Sequence, residues 1–239
     1  MIFTKDLCTL FVSLYFTNEI AVTFLVVIVY NKAIRVKMSG NEFNEAFFKV
    51  IKGGDRENAM HFLDKGADVN SRDGSGNTPL MHASMHGFTD TARLFIDNGA
   101  DVNAQNKFGI TPLIYACRSN RVGVVRLLVS RGADVNVRDI NGDTPFLFAC
   151  KNGDLDMAHL LADFGADVNA RDDEGNTALM CAIERKSAGM INFLITRGPD
   201  LKAVNTHNKT ALDIANEKGL FRVVNEIKFK IMEEQKKAP

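Results

Sequence analysis

The chain has 239 residues, 46% of them hydrophobic, with 29 Lys and Arg balancing 29 Asp and Glu. This composition fits a folded protein and excludes one that relies on overall charge to hold nucleic acid or anionic lipid. Cys8, Cys117, Cys150 and Cys181 lie far apart with no C-x-x-C pair, so buried, reduced thiols in a reducing compartment are expected.

The first element in chain order is an apolar run, residues 7–30 (LCTLFVSLYFTNEIAVTFLVVIVY), inside a hydrophobic N-terminal segment, 1–37. Its length would cross a bilayer, for which about 20 largely apolar residues suffice. Asn18 and Glu19 stand mid-run, where a charge costs about 2.5–3.5 kcal/mol on insertion scales. Lys32, Arg35 and Lys37 follow, which in a membrane would leave the remaining chain in the cytosol. A signal peptide is disfavoured, because the cationic cluster follows the run and no small-x-small cleavage site closes it. Two readings stay open: a membrane or buried anchor, or an extension upstream of a start at Met38 that is no part of the working protein. The expected location is cytoplasmic, membrane-associated if the anchor reading holds.

Beyond Met38 the chain repeats itself. Thr78, Thr111, Thr144, Thr177 and Thr210 stand 33 residues apart, as do Gly66, Gly99, Gly132, Gly165 and Gly198. Four of those glycines open the string GADVN, and the fifth opens the degraded GPDLK (198–202). A fixed period of this size means stacked supersecondary units. The pattern D-x-x-G-x-T-P-L, followed by Ala, a mid-repeat Gly and Gly-Ala-Asp-Val-Asn, resembles the ankyrin-repeat family over about residues 41–235. The resemblance implies an all-α solenoid of helix-turn-helix units joined by short β-hairpin loops. Two capping and four full repeats are expected, near 42–71, 75–104, 108–137, 141–170, 174–203 and 207–236, in a domain 38–239.

Residues 138–170 show how one unit works. Asp139-Ile-Asn-Gly142 is a turn, Thr144 caps the first helix and Pro145 takes its first position. Phe146, Ala149 and Cys150 follow at helical spacing, and Gly153 ends the helix. Leu155, Met157, Ala158, Leu160 and Leu161 form the apolar side of a second helix, which Gly165 stops. Both helices are shorter than the 12–15 or so residues at which an isolated helix is marginal, so neighbouring repeats must cover their apolar faces.

The ends differ as caps should. Arg56, Asn58 and His61 replace apolar positions in the first unit, and Glu226 and Lys228 stand where Phe193 and Ile195 stand one unit earlier. Phe43 and Phe48 are unusually apolar for an outer cap, which points to a packing partner there. Thr177-Ala178 and Thr210-Ala211 lack the proline, which favours fraying near the C-terminus. Asn208 replaces a turn glycine, tolerable because Asn also visits the left-handed region. The histidine the family places after Thr-Pro-Leu is replaced by Met81, Ile114, Leu147, Met180 and Asp213, so weaker hydrogen bonding between turns is expected.

Catalysis is not expected. His82 and His86 are four apart without a third ligand, and no phosphate loop or hydrolase motif occurs. No cofactor or metal is implied. What the resemblance implies instead is a concave groove of turn tips and first helices that holds a protein or peptide. Met85, His86, Lys107, Phe108, Ile110, Arg118, Ile140, Asp143, Lys151 and Arg185 are its candidate contact residues. Phe108, Ile110 and Ile140 stand out, because nothing in a scaffold demands large apolar groups on turn tips facing water. Arg118 and Lys151 flank them, and Arg72, Arg138 and Arg171 recur before the turns, which together favours an acidic-apolar partner. The reading is a monomeric adaptor without nucleic-acid binding. Its alternatives are a membrane-tethered adaptor anchored by residues 7–30 and a secreted effector acting on host proteins.

Overall fold

The computed structural model describes residues 40–237. The run 7–30, the start at Met38 and Cys8 lie outside the described residues. From Phe43 onward the chain forms one compact unit, and the account below concerns that unit.

Twelve helices pair along the described chain. They are α1 (Gly40–Lys52) with α2 (Arg56–Asp64), α3 (Pro79–His86) with α4 (Thr89–Asp97), and α5 (Pro112–Arg118) with α6 (Val122–Ser130). Then come α7 (Pro145–Asn152) with α8 (Leu155–Asp163), α9 (Ala178–Glu184) with α10 (Ala188–Thr196), and α11 (Ala211–Glu217) with α12 (Phe221–Lys237). This is an all-α repeat solenoid. The hydroxyls of Thr78, Thr111, Thr144, Thr177 and Thr210 each accept the backbone N–H three residues on, which starts α3, α5, α7, α9 and α11. Gly87 and Gly153 close α3 and α7 in the left-handed region.

From α3 to α9 each first helix packs on its own second helix and on the first helix of the next unit, and α11 packs on α9 and α12. Ala83, Ala116, Ala149, Ala182 and Ala215 are all buried at one register position, where a larger side chain would hold the helices apart. Met81, Ile114, Leu147 and Met180, in place of the histidine, are also buried. Asp213 instead closes a capping box with Thr210, its carboxylate accepting the Thr210 N–H at 2.9 Å. At the N-terminal end Phe43 lies 5.1 Å from Phe62, and Phe47 meets Phe95 edge-on at 6.0 Å between ring centroids. Phe48 packs edge-on against His82. The apolar residues of that cap therefore find partners within the array.

Two expectations change. The loops are not β-ladders: among the described residues there is only an isolated bridge, Arg171 to Thr177. Each five-residue tip is closed mainly by its leading side chain. Asp73 accepts the N–H groups of Ser75 and Asn77, and Asp139 those of Asn141 and Asp143. That leaves main-chain pairing to a bond such as Asp139 N–H to the Asp143 carbonyl, at 3.0 Å. Nor are the turns weakly joined. Successive tips share a backbone bond: Lys107 N–H to Ser75 O, Ile140 to Phe108, Asp173 to Asn141, and Thr206 to Glu174. The main chain supplies what the absent histidines do not.

Candidate functional site

The tips and the first helices behind them form a continuous seam, and its residues fall into registers 33 apart. In the first-helix row facing the tips stand His82, Tyr115, Phe148 and Cys181. His82 meets the Asp73 carboxylate through Nε2 at 2.9 Å. The Tyr115 hydroxyl donates to Asn77 Oδ1 at 3.0 Å and accepts from Asn106 Nδ2 at 3.2 Å, so one phenol binds two successive tips. The Arg118 guanidinium lies 5.2 Å above the Phe148 ring. One helical turn further along, in the register of Arg118, Lys151 bridges Asp143 at 2.5 Å and Asp172 at 2.9 Å, again tying two tips together.

Burial and hydrogen bonding together set the protonation states along this seam. Desolvation holds the His82 imidazole below its ordinary value, outweighing the attraction of Asp73, so the ring is neutral. Burial pushes Asp73 up, but the bonds from Asn77, His82 and Ser75 outweigh it and hold the carboxyl below the usual range. Lys151 is desolvated too, yet its bonds to Asp143 and Asp172 raise it on balance and keep it cationic. Cys117, Cys150 and Cys181 are free and buried, and burial drives each thiol up, Cys181 to about 12. They are inert packing groups.

The candidate residues separate into two sets. Phe108 and Ile140 stand on consecutive tips, 49% and 60% exposed, with the Ile140 N–H on the Phe108 carbonyl at 3.1 Å. Met85, His86, Arg118 and Arg185 occupy the ends of α3, α5 and α9, exposed or half-buried, with His86 stacked on Phe88. The others are engaged by the scaffold. Ile110 is only 7% exposed: it is the fifth tip residue, and its N–H is drawn in by Asn106 Oδ1, so the side chain turns into the core. Asp143, 6% exposed, is neutralised by Lys151, and neither is a free surface charge. Lys107 reaches back to the Gly74 carbonyl at 2.7 Å. The recurrent arginines are struts: Arg72 donates to Gln105 O, Arg138 to Arg171 O and Asp173, and Arg171 to Asp200.

A second ladder runs through the GADVN strings. Asn70, Asn103 and Asn136 each donate to the glycine carbonyl of the next string and accept its aspartate N–H, as with Asn103 to Gly132 at 3.2 Å and from Asp134 at 2.9 Å. Tyr115, Phe148 and this asparagine ladder escaped the residue-by-residue reading. Aligning all five tips in register would have exposed them, since each recurs or contrasts at a fixed step. Among the described residues no group of His, Cys, Asp or Glu is arranged to hold a metal ion. No helix among them is long and apolar enough to cross a membrane.

Family descriptions now meet this geometry. Ankyrin repeats (3 copies) match residues 47–139, ankyrin repeat matches 141–173, and ankyrin repeats (many copies) match 160–215. The chain belongs to the ankyrin-repeat family. Ankyrin repeats are generally protein–protein interaction modules and typically non-catalytic. No curated protein matches this ankyrin chain.

Proposed function

We propose that this ankyrin-repeat protein is a non-catalytic adaptor that holds a protein partner on its turn tips, with Phe108 and Ile140 as the anchoring pair. The observation that carries this reading is the contrast along the tips. Ile110 is folded inward and the charges at Asp143, Lys151, Lys107 and Arg138 are occupied internally, whereas two large apolar side chains on adjoining tips are left in water. Exposed apolar pairs of this kind, on a backbone fixed by tip-to-tip bonds, can bind without paying for loop ordering. Arg118, above Phe148, and Arg185 are exposed cations at the ends of first helices and would suit an acidic-apolar partner surface.

Affinity capture with the full chain and with Phe108→Ala/Ile140→Ala, compared by quantitative mass spectrometry, tests it. A partner titrated against both proteins should lose about tenfold or more in affinity on the double substitution. The thermal midpoint should move by under about 2 °C, since both side chains are exposed. Partners retained equally by both proteins would place recognition elsewhere.

A further inference from the structure

The last helix differs from its counterparts on the face that points away from the array. With 3.6 residues per turn, Phe221, Met232, Asn225 and Phe229 fall within a sector of about 80°. Phe221, Phe229 and Met232 are 77%, 56% and 52% exposed. In the other second helices the positions of Phe221, Asn225 and Phe229 hold small or polar groups, such as Thr89, Arg93 and Asp97 in α4, or at most one larger apolar residue, such as Val122 in α6. Packing explains none of the three, because α12 is seated through Val224, Ile227 and Ile231 on another side. Arg222, Lys228 and Lys236 are interleaved with or border the exposed face and form no ion pair among the described residues. The acids of α12, Glu226, Glu233 and Glu234, lie outside that sector, and Glu233 is engaged by Lys230 at 3.3 Å.

We propose that this face of α12 docks on an anionic lipid surface, lying along it with the aromatic and methionine side chains in the headgroup boundary. Three cations without an acid among them complement a negatively charged occupant, although the whole chain is neutral. The shape selects a lipid surface over a protein. Protein hot spots cluster near the centre of an interface, whereas these side chains are spread along one helix face from Phe221 to Met232 with cations between and beside them. The cleft beside α12, lined by Ile195, Pro199, Leu201, Ile227 and Lys230, opens on another flank. A bilayer asks only for an amphipathic helix with apolar groups and cations on one side. At 17 residues, α12 is also nearly twice as long as α10, which gives the face room to lie flat.

The chain contains no tryptophan, so Phe229→Trp in the full chain places a single indole on this face. Adding phosphatidylcholine vesicles that contain phosphatidylserine should shift its emission to the blue, and brominated acyl chains should quench it. Arg222→Gln and Lys228→Gln should each weaken vesicle binding about fivefold. Three results would overturn the proposal. One is an unchanged emission with the anionic vesicles, including the case where the chain binds them through another segment and leaves the indole in water. Another is an equal shift with pure phosphatidylcholine. The third is a shift without vesicles that grows with protein concentration, which would make the occupant a second copy. Phe221→Trp repeats the readout should the first variant misfold.

Discussion

The turn 139–143 and the turn 205–209 are closed by the same four bonds, yet they differ at the fourth residue. In each, the leading side chain accepts from the third and fifth residues, and the main chain pairs first with fifth and fourth with first. In each the fourth residue is left-handed, Gly142 at φ 75° and Asn208 at φ 58°. The difference is the neighbour. A Cβ at position 142 would lie 2.7 Å from the Asp173 amide nitrogen of the next tip, and would also crowd the Arg138 and Asp173 side chains. No further tip follows Asn208 in the described residues. Glycine inside the array thus answers two demands, backbone conformation and close approach, whereas the last turn makes only the first.

The largest effect that would break or confirm this contrast is at Gly142. Gly142→Ala should destabilise the array by about 3 kcal/mol, from left-handed strain plus displacement of the next tip. Asn208→Ala should cost under about 1 kcal/mol, because Asn208 already bears most of the conformational strain. Urea denaturation of both variants decides between them; equal losses would mean that tip-to-tip approach contributes nothing.

The stack was legible in the sequence because a solenoid writes each structural demand five times at a fixed step. Thr caps, helix-ending glycines and the polar substitutions of both ends could be read without coordinates. The site was less legible, for a physical reason. Whether a tip residue faces water depends on which of the five tip positions it occupies and on where the leading Asx side chain draws its N–H. Ile110 and Ile140, both isoleucines on tips, go to opposite fates on that account. Charges were harder still. Arg138 and Lys151 look like surface cations in the sequence, and only the crossing from one repeat to the next shows that they are spent on Asp173, Asp143 and Asp172.

A middle-sized effect is expected in the asparagine ladder, which also stops at the end. Asn169 still accepts the Asp200 N–H at 2.8 Å, but the next register position is Lys202, which has no following string to bridge. Asn103→Ala removes two bonds between repeats and should cost about 1–2 kcal/mol, modest because both are solvent-exposed. Lys202→Ala should stay within about 0.5 kcal/mol. Negligible loss of stability on both substitutions alike would show that the strings are held by their local Asp bonds, which alanine keeps, and not across repeats.

The smallest effect sharpens the comparison by reversing its sign. At the ends of the first helices the register reads Gly87, Asn120, Gly153, Lys186 and Gly219, all at positive φ. Here glycine is dispensable even inside the array, since Lys186 sits there at φ 56°. The reason is again the neighbour: a Cβ at Gly153 or Gly219 would meet nothing within 4 Å, and one at Gly87 would meet only the side chain of Arg121, never the backbone of the next unit. With no close approach to protect, Lys186 bears only the left-handed strain of an L-residue, about 1–2 kcal/mol, against the smaller entropic cost of glycine. Lys186→Gly should therefore raise stability by about 0.5–1 kcal/mol, read as a higher urea midpoint with an unchanged slope. If the midpoint falls instead, the Lys186 side chain contributes more than its backbone costs, and strain alone would not account for the pattern of glycines in this chain.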